Sequence, residues 1–141
     1  MATETVRDWM TTDPVTIGQG SSVGAARALM QKNDVSRLLV VDDDGCLVGI
    51  VTLGDVAEAW PSRFTDLEPV EARELMARVL VVEVMTADVV AVDPETTVAE
   101  AASLMFEHRV GALPVVDDGR VAGILTSSDV LQGLVRILTR E

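Results

Sequence analysis

Short aliphatic segments alternate with polar segments along the chain, and this pattern predicts several short strands and helices. Two aliphatic segments, Leu38–Val41 and Leu47–Val51, flank a run of aspartates that ends in Gly45. Asp-Gly between two apolar runs is the strongest short signal for a β-hairpin. We therefore predict an antiparallel pair here, preceded by a short strand at Val15–Ile17 and a helix at about Ser22–Lys32.

The same order of segments recurs about 75 positions further along the chain. The matching segments of this second copy are Val89–Val92, Thr97–His108, Leu113–Val116 and Val121–Leu125. Apolar residues of its helix fall on one face at helical spacing, and Thr97 with Glu100 is a predicted capping box. A further helix is expected after the last strand, so each copy has the order β-α-β-β-α.

The duplication is also visible letter by letter. "GIVTLGDV" at Gly49–Val56 matches "GILTSSDV" at Gly123–Val130. "WMTTDPVTI" at Trp9–Ile17 matches "VMTADVVAV" at Val84–Val92. Internal similarity at a nearly constant offset indicates two structural units of one kind.

The duplication divides the chain into three parts. We place the first unit at residues 1–60 and the second at 83–141, joined by a linker at 61–82. The linker is expected to contain a helix from about Val70, because Pro69 and Glu71 suit a helix start. A unit of this size buries too little surface to be comfortably stable alone, so we expect the two units to pack together.

Composition narrows the classes of function. Apolar residues make up 48% of the chain with few aromatics, which predicts an aliphatic core, and the formal net charge is −12. A field of that sign repels nucleic acids and anionic lipids. Cys46 is the only cysteine, which favours a reducing compartment. The acidic start and the short aliphatic runs predict neither a signal peptide nor a membrane span, so we expect a cytoplasmic protein.

Both copies place Thr-x-x-Asp directly after the last strand, as Thr52 with Asp55 and Thr126 with Asp129. Thr followed three residues later by an acid is a capping box, so the spacing alone predicts a helix start. A helix start also presents free N–H groups, and an ionised carboxylate accepts hydrogen bonds through two oxygens. The pattern alone leaves a structural cap and a ligand site both open.

The Met-Thr entries, the "LPVVDDG" strand and turn, and the "GIxTxxD" endings resemble the cystathionine β-synthase (CBS) domain, present here as a tandem pair or Bateman module. The resemblance covers nearly the whole chain, and the linker resembles those of stand-alone bacterial CBS-pair proteins. It implies an α+β fold in which two tandem β-α-β-β-α units pack through their sheets as a pseudo-two-fold pair.

The resemblance also implies a ligand of the adenosyl type, such as AMP, ADP or ATP. In the family, the Asp of Thr-x-x-Asp accepts hydrogen bonds from the ribose hydroxyls, which would assign this role to Asp55 and Asp129, with Thr52 and Thr126 beside them. Arg37 resembles an arginine that contacts the ligand phosphate in the γ subunit of AMP-activated protein kinase. A guanidinium binds phosphate bidentately, although an ordinary strand-edge charge is the alternative.

Family members also grip the adenine ring with backbone and apolar side chains. The matching positions are Thr16, Ile17, Val35 and Leu38 in the first copy and Ala91, Val92, Val110, Leu113 and Pro114 in the second. Most of these are core-type positions, so packing is the alternative explanation. The second copy has Ala112 where the first has Arg37, which leaves its phosphate handling open.

No set of residues predicts catalysis or a metal site. His108 has no nearby Ser or Cys in a nucleophile arrangement, and one His with one Cys makes a poor zinc site. We therefore expect a non-enzymatic sensor whose ligand changes the shape or rigidity of a dimer. The alternative is a structural docking module without a ligand. Surplus apolar positions near Leu29–Met30, Leu104–Met105 and Leu131–Ile137 predict a homodimer, while any protein partner stays unidentified.

Overall fold

The structure is a computed structural model that describes residues 4–60 and 68–140. The chain divides into two compact units. One comprises Val15–Asp88 and contains the strands of the first repeat, so we call it the first-repeat unit. The other, the second-repeat unit, comprises the described residues up to Pro14 together with those from Val89 onward. Each unit thus combines the sheet of one repeat with the Met-Thr segment of the other.

The repeat boundaries expected from the sequence, 1–60, 61–82 and 83–141, follow the order of the chain and stay a prediction. The compact units are divided at Pro14 and Asp88 instead. The reason is that the Met-Thr segment of each repeat hydrogen-bonds to the last strand of the other repeat.

The fold is α+β, as predicted. The helices of the described residues are α1 (Val6–Trp9), α2 (Val23–Asn33), α3 (Leu53–Ala59), α4 (Pro69–Met76), α5 (Val81–Val84), α6 (Val98–His108) and α7 (Ser127–Thr139). The strands are β1 (Thr16–Gly18), β2 (Arg37–Val41), β3 (Leu47–Thr52), β4 (Ala112–Asp117) and β5 (Arg120–Thr126). The first-repeat unit has a sheet of order β1-β2-β3, and the second-repeat unit has the pair β4-β5.

Both hairpins form at the predicted Asp-Gly turns. β2 pairs antiparallel with β3, and β4 pairs antiparallel with β5. Gly45 and Gly119 each have a φ of 82° in these turns, a conformation that a residue with a side chain rarely adopts. The glycine of each Asp-Gly pair is therefore required by the turn, and the hairpin prediction is confirmed in both repeats.

α2 and α6 begin and end in the same way. The hydroxyls of Ser22 and Thr97 each accept a hydrogen bond from the amide three residues later, at 3.0 and 3.1 Å. Both helices end at a residue in the left-handed conformation, Asp34 and Arg109. Of the capping box predicted for Thr97 and Glu100, the structure contains the half in which the hydroxyl accepts.

The prediction of a strand at Val89–Val92 is wrong. Its place is taken by a single parallel bridge between Val92 and Val115. Pairing stops there because Pro94 has no N–H to donate to the carbonyl of Val116. In the first repeat the matching residue, Gln19, donates its amide to the carbonyl of Val41 at 2.9 Å. In β1, the matching strand of the first repeat, the pairing with β2 continues to Gly18.

α1 and α5 are one-turn helices that the sequence pattern does not predict. Each ends directly before a Met-Thr pair. A single turn is too short to show a helical period. Tertiary burial holds these helices, since Val6 in α1 and Val81 in α5 are fully buried. The start of α4 is as predicted, with Pro69 as its first residue.

Each unit has its own largely aliphatic core. The buried members in the first-repeat unit are Ile17, Val23, Ala26, Met30, Leu38, Val40, Val51, Val56, Met76 and Val81. Those in the second-repeat unit are Val6, Trp9, Val92, Val98, Ala101, Met105, Leu113, Val115 and Leu125. Trp9 is the one aromatic side chain in these two sets. Across residues 4–60 and 68–140, no helix is long and apolar enough to cross a membrane.

Candidate functional site

The "GIxTxxD" motif of each repeat lies beside the Met-Thr pair of the other repeat. In the first-repeat unit, Ile50 and Thr86 exchange backbone hydrogen bonds of 3.0 and 2.9 Å. In the second-repeat unit, Ile124 and Thr11 exchange backbone hydrogen bonds of 3.0 and 2.8 Å. Each motif therefore completes a unit that is built from both copies of the duplication.

The glycine of this motif permits the close approach of the Met-Thr pair. A Cβ at Gly49 would lie 2.7 Å from both the Sδ of Met85 and the carbonyl oxygen of Thr86. A Cβ at Gly123 would lie 2.7 Å from the carbonyl oxygen of Thr11. Real side chains do not make carbon–oxygen contacts this short, so both positions require glycine unless the backbone moves.

Thr52 and Asp55 begin α3 with a complete capping box. The amide of Thr52 donates to Oδ2 of Asp55 at 2.8 Å, and the amide of Asp55 donates to Oγ1 of Thr52 at 3.1 Å. Thr126 and Asp129 form the same box at the start of α7, at 2.9 and 3.1 Å. The capping interpretation of Thr-x-x-Asp is confirmed in both repeats. The cap uses Oδ2 of each carboxylate and makes no use of Oδ1.

The second carboxylate oxygen differs between the repeats. The hydroxyl of Thr11 lies 3.0 Å from Oδ1 and 3.2 Å from Oδ2 of Asp129, so it donates to that carboxylate. Thr86 holds the matching position in the first-repeat unit. Within the part of the chain that the structure describes, Asp55 accepts only the capping bond, at Oδ2. Asp55 therefore keeps an acceptor that no described group occupies, whereas both oxygens of Asp129 are engaged.

Arg37 lies half-buried at the start of β2, directly opposite Thr52 of β3. Directly opposed residues of an antiparallel pair project to the same face of the sheet. Thr52 also caps α3, so Arg37 and the cap with Asp55 lie at the same end of this hairpin. In the second-repeat unit, the buried Ala112 lies opposite Thr126. One repeat thus places a cation beside its cap, and the other places a methyl group there.

The structure divides the positions predicted to hold an adenine ring. Four belong to the two cores: Ile17, Leu38, Val92 and Leu113. The others are the buried Pro114, the half-buried Val35 and the exposed Thr16, Ala91 and Val110. Packing accounts for the four core residues, and contact of any of the nine with a ligand stays a prediction.

Ala91 and Val92 also line a cavity of about 280 Å³ in the second-repeat unit. The charged residues that line it are Asp93 and Glu100. Carboxylates repel a phosphate group by ordinary Coulomb interaction. This cavity therefore offers no cation to a nucleotide phosphate.

Arg7 and Glu95 form an exposed ion pair of 2.8 Å in the second-repeat unit. The hydrogen bond to Glu95 and the charge of Glu95 raise the pKa of the Arg7 guanidinium above its ordinary value. Arginine is protonated throughout the physiological range in any case, so the pair is not a pH switch. Elsewhere in residues 4–60 and 68–140, no group of three or more His, Cys, Asp or Glu side chains is placed to hold a metal ion.

The motifs and the fold agree with one protein family. The family model of the CBS domain matches the chain twice, at residues 6–62 and 81–136. The chain belongs to the CBS domain family and carries two CBS domains in tandem.

Two relatives show how far the similarity extends. A homoserine O-acetyltransferase of Methanocorpusculum labreanum is 40% identical over 134 residues, covering 91% of this chain and 25% of that protein. The chain thus spans about a quarter of the length of that relative. A CBS domain-containing protein of Dictyostelium discoideum is 34% identical over 94% of this chain and 92% of its own length.

Solved structures of CBS pairs have the same fold. The CBS-pair protein CBSX2 from Arabidopsis thaliana is 31% identical, with a TM-score of 0.81 over 99% of this chain and all of that chain. CBSX2 in complex with AMP superposes with a TM-score of 0.79 over 96% of this chain and 98% of that chain. The CBS domain pair of protein MJ0100, in complex with 5′-methylthioadenosine and S-adenosyl-L-methionine, is 28% identical with a TM-score of 0.78 over 96% of this chain and 99% of that chain.

Proposed function

We propose that this protein is a regulatory module that binds an adenosyl ligand of the AMP, ADP or ATP type at the start of α3. CBS-pair neighbours in complex with AMP, 5′-methylthioadenosine and S-adenosyl-L-methionine support this class of ligand. The observation that carries the proposal is Oδ1 of Asp55, which accepts no hydrogen bond from residues 4–60 and 68–140 and lies at the hairpin end that also holds Arg37. A ribose diol offers two O–H donors to the carboxylate, and a phosphate accepts the guanidinium fork.

The same reasoning makes the end of the second repeat the weaker site. A ribose hydroxyl arriving at Asp129 would have to displace the Thr11 hydroxyl, which already donates to both oxygens. It would also find Ala112 in place of an arginine. We therefore expect one tight ligand per chain, bound at Asp55.

The experiment compares Asp55→Ala with Asp129→Ala by titration calorimetry with AMP, ADP, ATP and S-adenosyl-L-methionine. Both substitutions delete the same capping box, so each is the control for the helix-capping loss in the other. Asp55→Ala should weaken the tightest ligand about 10- to 100-fold, the scale of hydrogen bonds to a charged acceptor. Asp129→Ala should change the affinity for the same ligand by less than about threefold, because Asp129 does not contact a ligand bound at Asp55.

Equal losses in the two variants, or a larger loss for Asp129→Ala, would contradict the assignment to α3. A panel without measurable heat or thermal shift in the unmodified protein would favour the alternative, a structural docking module without a ligand. A ligand at 100 times its Kd stabilises the folded state by about 2.7 kcal/mol, which a melting curve detects easily.

The proposed role is not enzymatic. The homoserine O-acetyltransferases extend far beyond the matched region, which is about a quarter of their length. The matched region contains the CBS domains, so the acetyltransferase activity in those names is not proposed for this chain. Assay of the purified chain with homoserine and acetyl-CoA should give no product above the buffer control.

We also propose that the protein is a homodimer through α7. Leu131, Val135 and Leu138 follow one another at spacings of four and three residues, and they are 62%, 61% and 77% exposed. Residues at this spacing form one stripe on a helix, and an exposed apolar stripe of this kind marks an interface. Phe106 of α6, 86% exposed in the same unit, adds to the apolar surface.

Light scattering at low micromolar concentration should give twice the chain mass. Val135→Glu, which puts a charge into the stripe, should give a monomer. Gln132→Glu adds the same charge to the same helix outside the stripe and should leave the dimer intact. Monomers at every concentration of the unmodified protein would remove this part of the proposal.

A further inference from the structure

A groove of about 340 Å³ lies in the first-repeat unit between α2 and α4, beside the end of α3. The residues that line it are Ser22, Gly24, Ala25, Arg27, Ala28, Gln31, Trp60, Arg73 and Ala77. Two of these residues are cationic and none carries a carboxylate. Arg37, Thr52 and Asp55 are absent from this lining, so the groove is separate from the proposed adenosyl site.

One of the two cations is held in place. The guanidinium carbon of Arg27 lies 4.4 Å from the centroid of the Trp60 ring. Stacking on an aromatic face orients a guanidinium and leaves its N–H groups free at the edges for an acceptor. The Trp60 side chain packs partly buried against the core of the first-repeat unit, and its amide donates to the carbonyl of Val56 at 2.9 Å. The ring thus acts as a platform that presents Arg27 to the groove.

The charge balance of the groove is opposite to that of the chain. Acidic residues outnumber Lys and Arg by 23 to 11 in the sequence. Neither Arg27 nor Arg73 forms a salt bridge with any carboxylate of residues 4–60 and 68–140, where Arg7 and Glu95 make such a pair. Glu71 and Glu74 lie on α4 with Arg73, yet neither lines the groove.

Two guanidinium groups that line one small groove repel each other unless an anion lies between them. The uncharged polar lining adds donors of the right kind. The hydroxyl of Ser22 accepts from the Ala25 amide at 3.0 Å, so its own hydrogen is free to donate, and the amide of Gln31 carries two N–H donors. Such a set of donors, with no carboxylate among the described lining residues, suits an oxyanion with several oxygens.

We propose that this groove is a second anion site, which binds a phosphate-bearing small molecule through Arg27 and Arg73. Arg27 binds one phosphate edge with its fork, and Arg73 approaches the same anion from α4. Because the two arginines belong to different elements, a bound anion ties α4 to α2. Free inorganic phosphates and the phosphate groups of a metabolite share this chemistry, and the test separates them.

The experiment titrates the whole 141-residue chain with pyrophosphate by calorimetry at low salt. Arg27→Gln and Arg73→Gln should each weaken binding at least tenfold. Arg78→Gln removes the same charge from the turn directly after α4, outside the lining, and should change the affinity less than threefold. Arg37→Gln serves as the second control, because it tests whether the heat arises at the proposed adenosyl site instead.

Trp60 provides an independent signal. In a Trp9→Phe background, Trp60 is the remaining tryptophan, and pyrophosphate should change its emission with the same Kd that calorimetry gives. Orthophosphate and ribose 5-phosphate, added separately, distinguish a free phosphate from the phosphate of a metabolite. Citrate tests whether carboxylates suffice.

The proposal is wrong if the unmodified protein shows neither heat nor a change of emission up to 10 mM pyrophosphate, a limit of about −2.7 kcal/mol in binding free energy. It is also wrong if Arg78→Gln weakens binding as much as Arg27→Gln, since that result means a diffuse charge effect. Loss of binding in Arg37→Gln alone would move the anion to the adenosyl site. None of these results affects the Asp55 comparison, so the two proposals fail separately.

Discussion

The two repeats share their scaffold and differ in the atoms around it. Both form an Asp-Gly hairpin, both begin the helix after it with a Thr-x-x-Asp box, and both pack a Met-Thr pair against the motif glycine. The first repeat adds Arg37 and leaves one oxygen of Asp55 unoccupied by any described group. The second puts a methyl group and the Thr11 hydroxyl at the matching places.

The helix after the hairpin shows a second difference. α7 runs for 13 residues and α3 for 7. In the second-repeat unit Gly133 of α7 packs against the ring of Trp9, while Ala59 and Val84 hold the matching positions in the first-repeat unit. The comparison teaches that a duplicated unit can keep its hydrogen-bonded frame while one copy gains an arginine beside its cap and the other exposes apolar side chains on α7.

The largest expected effect tests what the repeats share. Gly49→Ala and Gly123→Ala each place a Cβ 2.7 Å from a backbone oxygen of the other repeat's Met-Thr pair. We expect each to lower the free energy of unfolding by about 2–3 kcal/mol, the cost of overpacking a close contact. Urea unfolding followed by circular dichroism measures the change.

Gly20→Ala is the control for both glycine variants. No atom lies within 4 Å of a Cβ built there, so the free energy of unfolding should not fall, and the loss of unfolded-state entropy should raise it by about 0.4–1 kcal/mol. A small effect at only one of Gly49 and Gly123 would show that the two units do not depend on this contact equally, and would break the shared-frame part of the comparison.

The next largest effect concerns the contact between Gly133 of α7 and the ring of Trp9, which the first repeat lacks. A Cβ at Gly133 would overlap the Trp9 ring. Gly133→Ala should lose about 2 kcal/mol of stability, because overpacking of about 3 kcal/mol exceeds the gain of about 1 kcal/mol in helix propensity. Thermal and urea unfolding measure the loss.

Trp9→Val combined with Gly133→Ala recreates the pair that the first repeat already contains, with Val84 and Ala59. The double variant should be more stable than the sum of the single effects predicts, with a coupling of at least about 1 kcal/mol. Additive effects would mean that the glycine does not serve the tryptophan.

Local patterns in the sequence were sufficient to predict the hairpins and helix starts that the two repeats share. The hairpins follow from Asp-Gly between apolar runs, and the caps at Thr52 and Thr126 follow from a spacing of three residues. These signals work because the partners are neighbours in the chain. The start of α4 at Pro69 has the same local origin.

The features that distinguish the repeats depend on distant partners. Thr11 and Asp129 are 118 positions apart, and no local period connects them. The repeat alignment pairs Thr11 with Thr86, and both residues are threonine. Even so, only the hydroxyl of Thr11 contacts the aspartate of its unit, Asp129. The strand expected at Val89–Val92 failed because Pro114 and Pro94 replace Leu39 and Gln19, whose amides extend the matching pairing in the first repeat.

Arg37→Ala makes the first repeat like the second at the phosphate position. We expect it to weaken a phosphorylated ligand about 10-fold, or about 1.4 kcal/mol, because a charge-assisted contact is lost. Adenosine, which has no phosphate, should bind with unchanged affinity. Titration calorimetry with AMP and adenosine measures both, and equal losses for the two ligands would show that Arg37 does not contact the phosphate.

The smallest effect separates the two threonines that hold matching places. Thr11→Val removes a hydroxyl that donates to an exposed carboxylate, so it should cost about 0.5–1 kcal/mol of stability. Thr86→Val removes a hydroxyl that makes no bond to Asp55, so its cost should be near zero. Differential scanning calorimetry at neutral pH measures both, and Thr-to-Val keeps the side-chain shape. Thr11→Val also removes the hydroxyl donor from Asp129 and leaves only the capping bond at Oδ2. Ala112 still supplies no cation, so AMP should still bind once per chain. A second AMP in this variant would mean that the Thr11 hydroxyl, and not the missing arginine, keeps the second site closed.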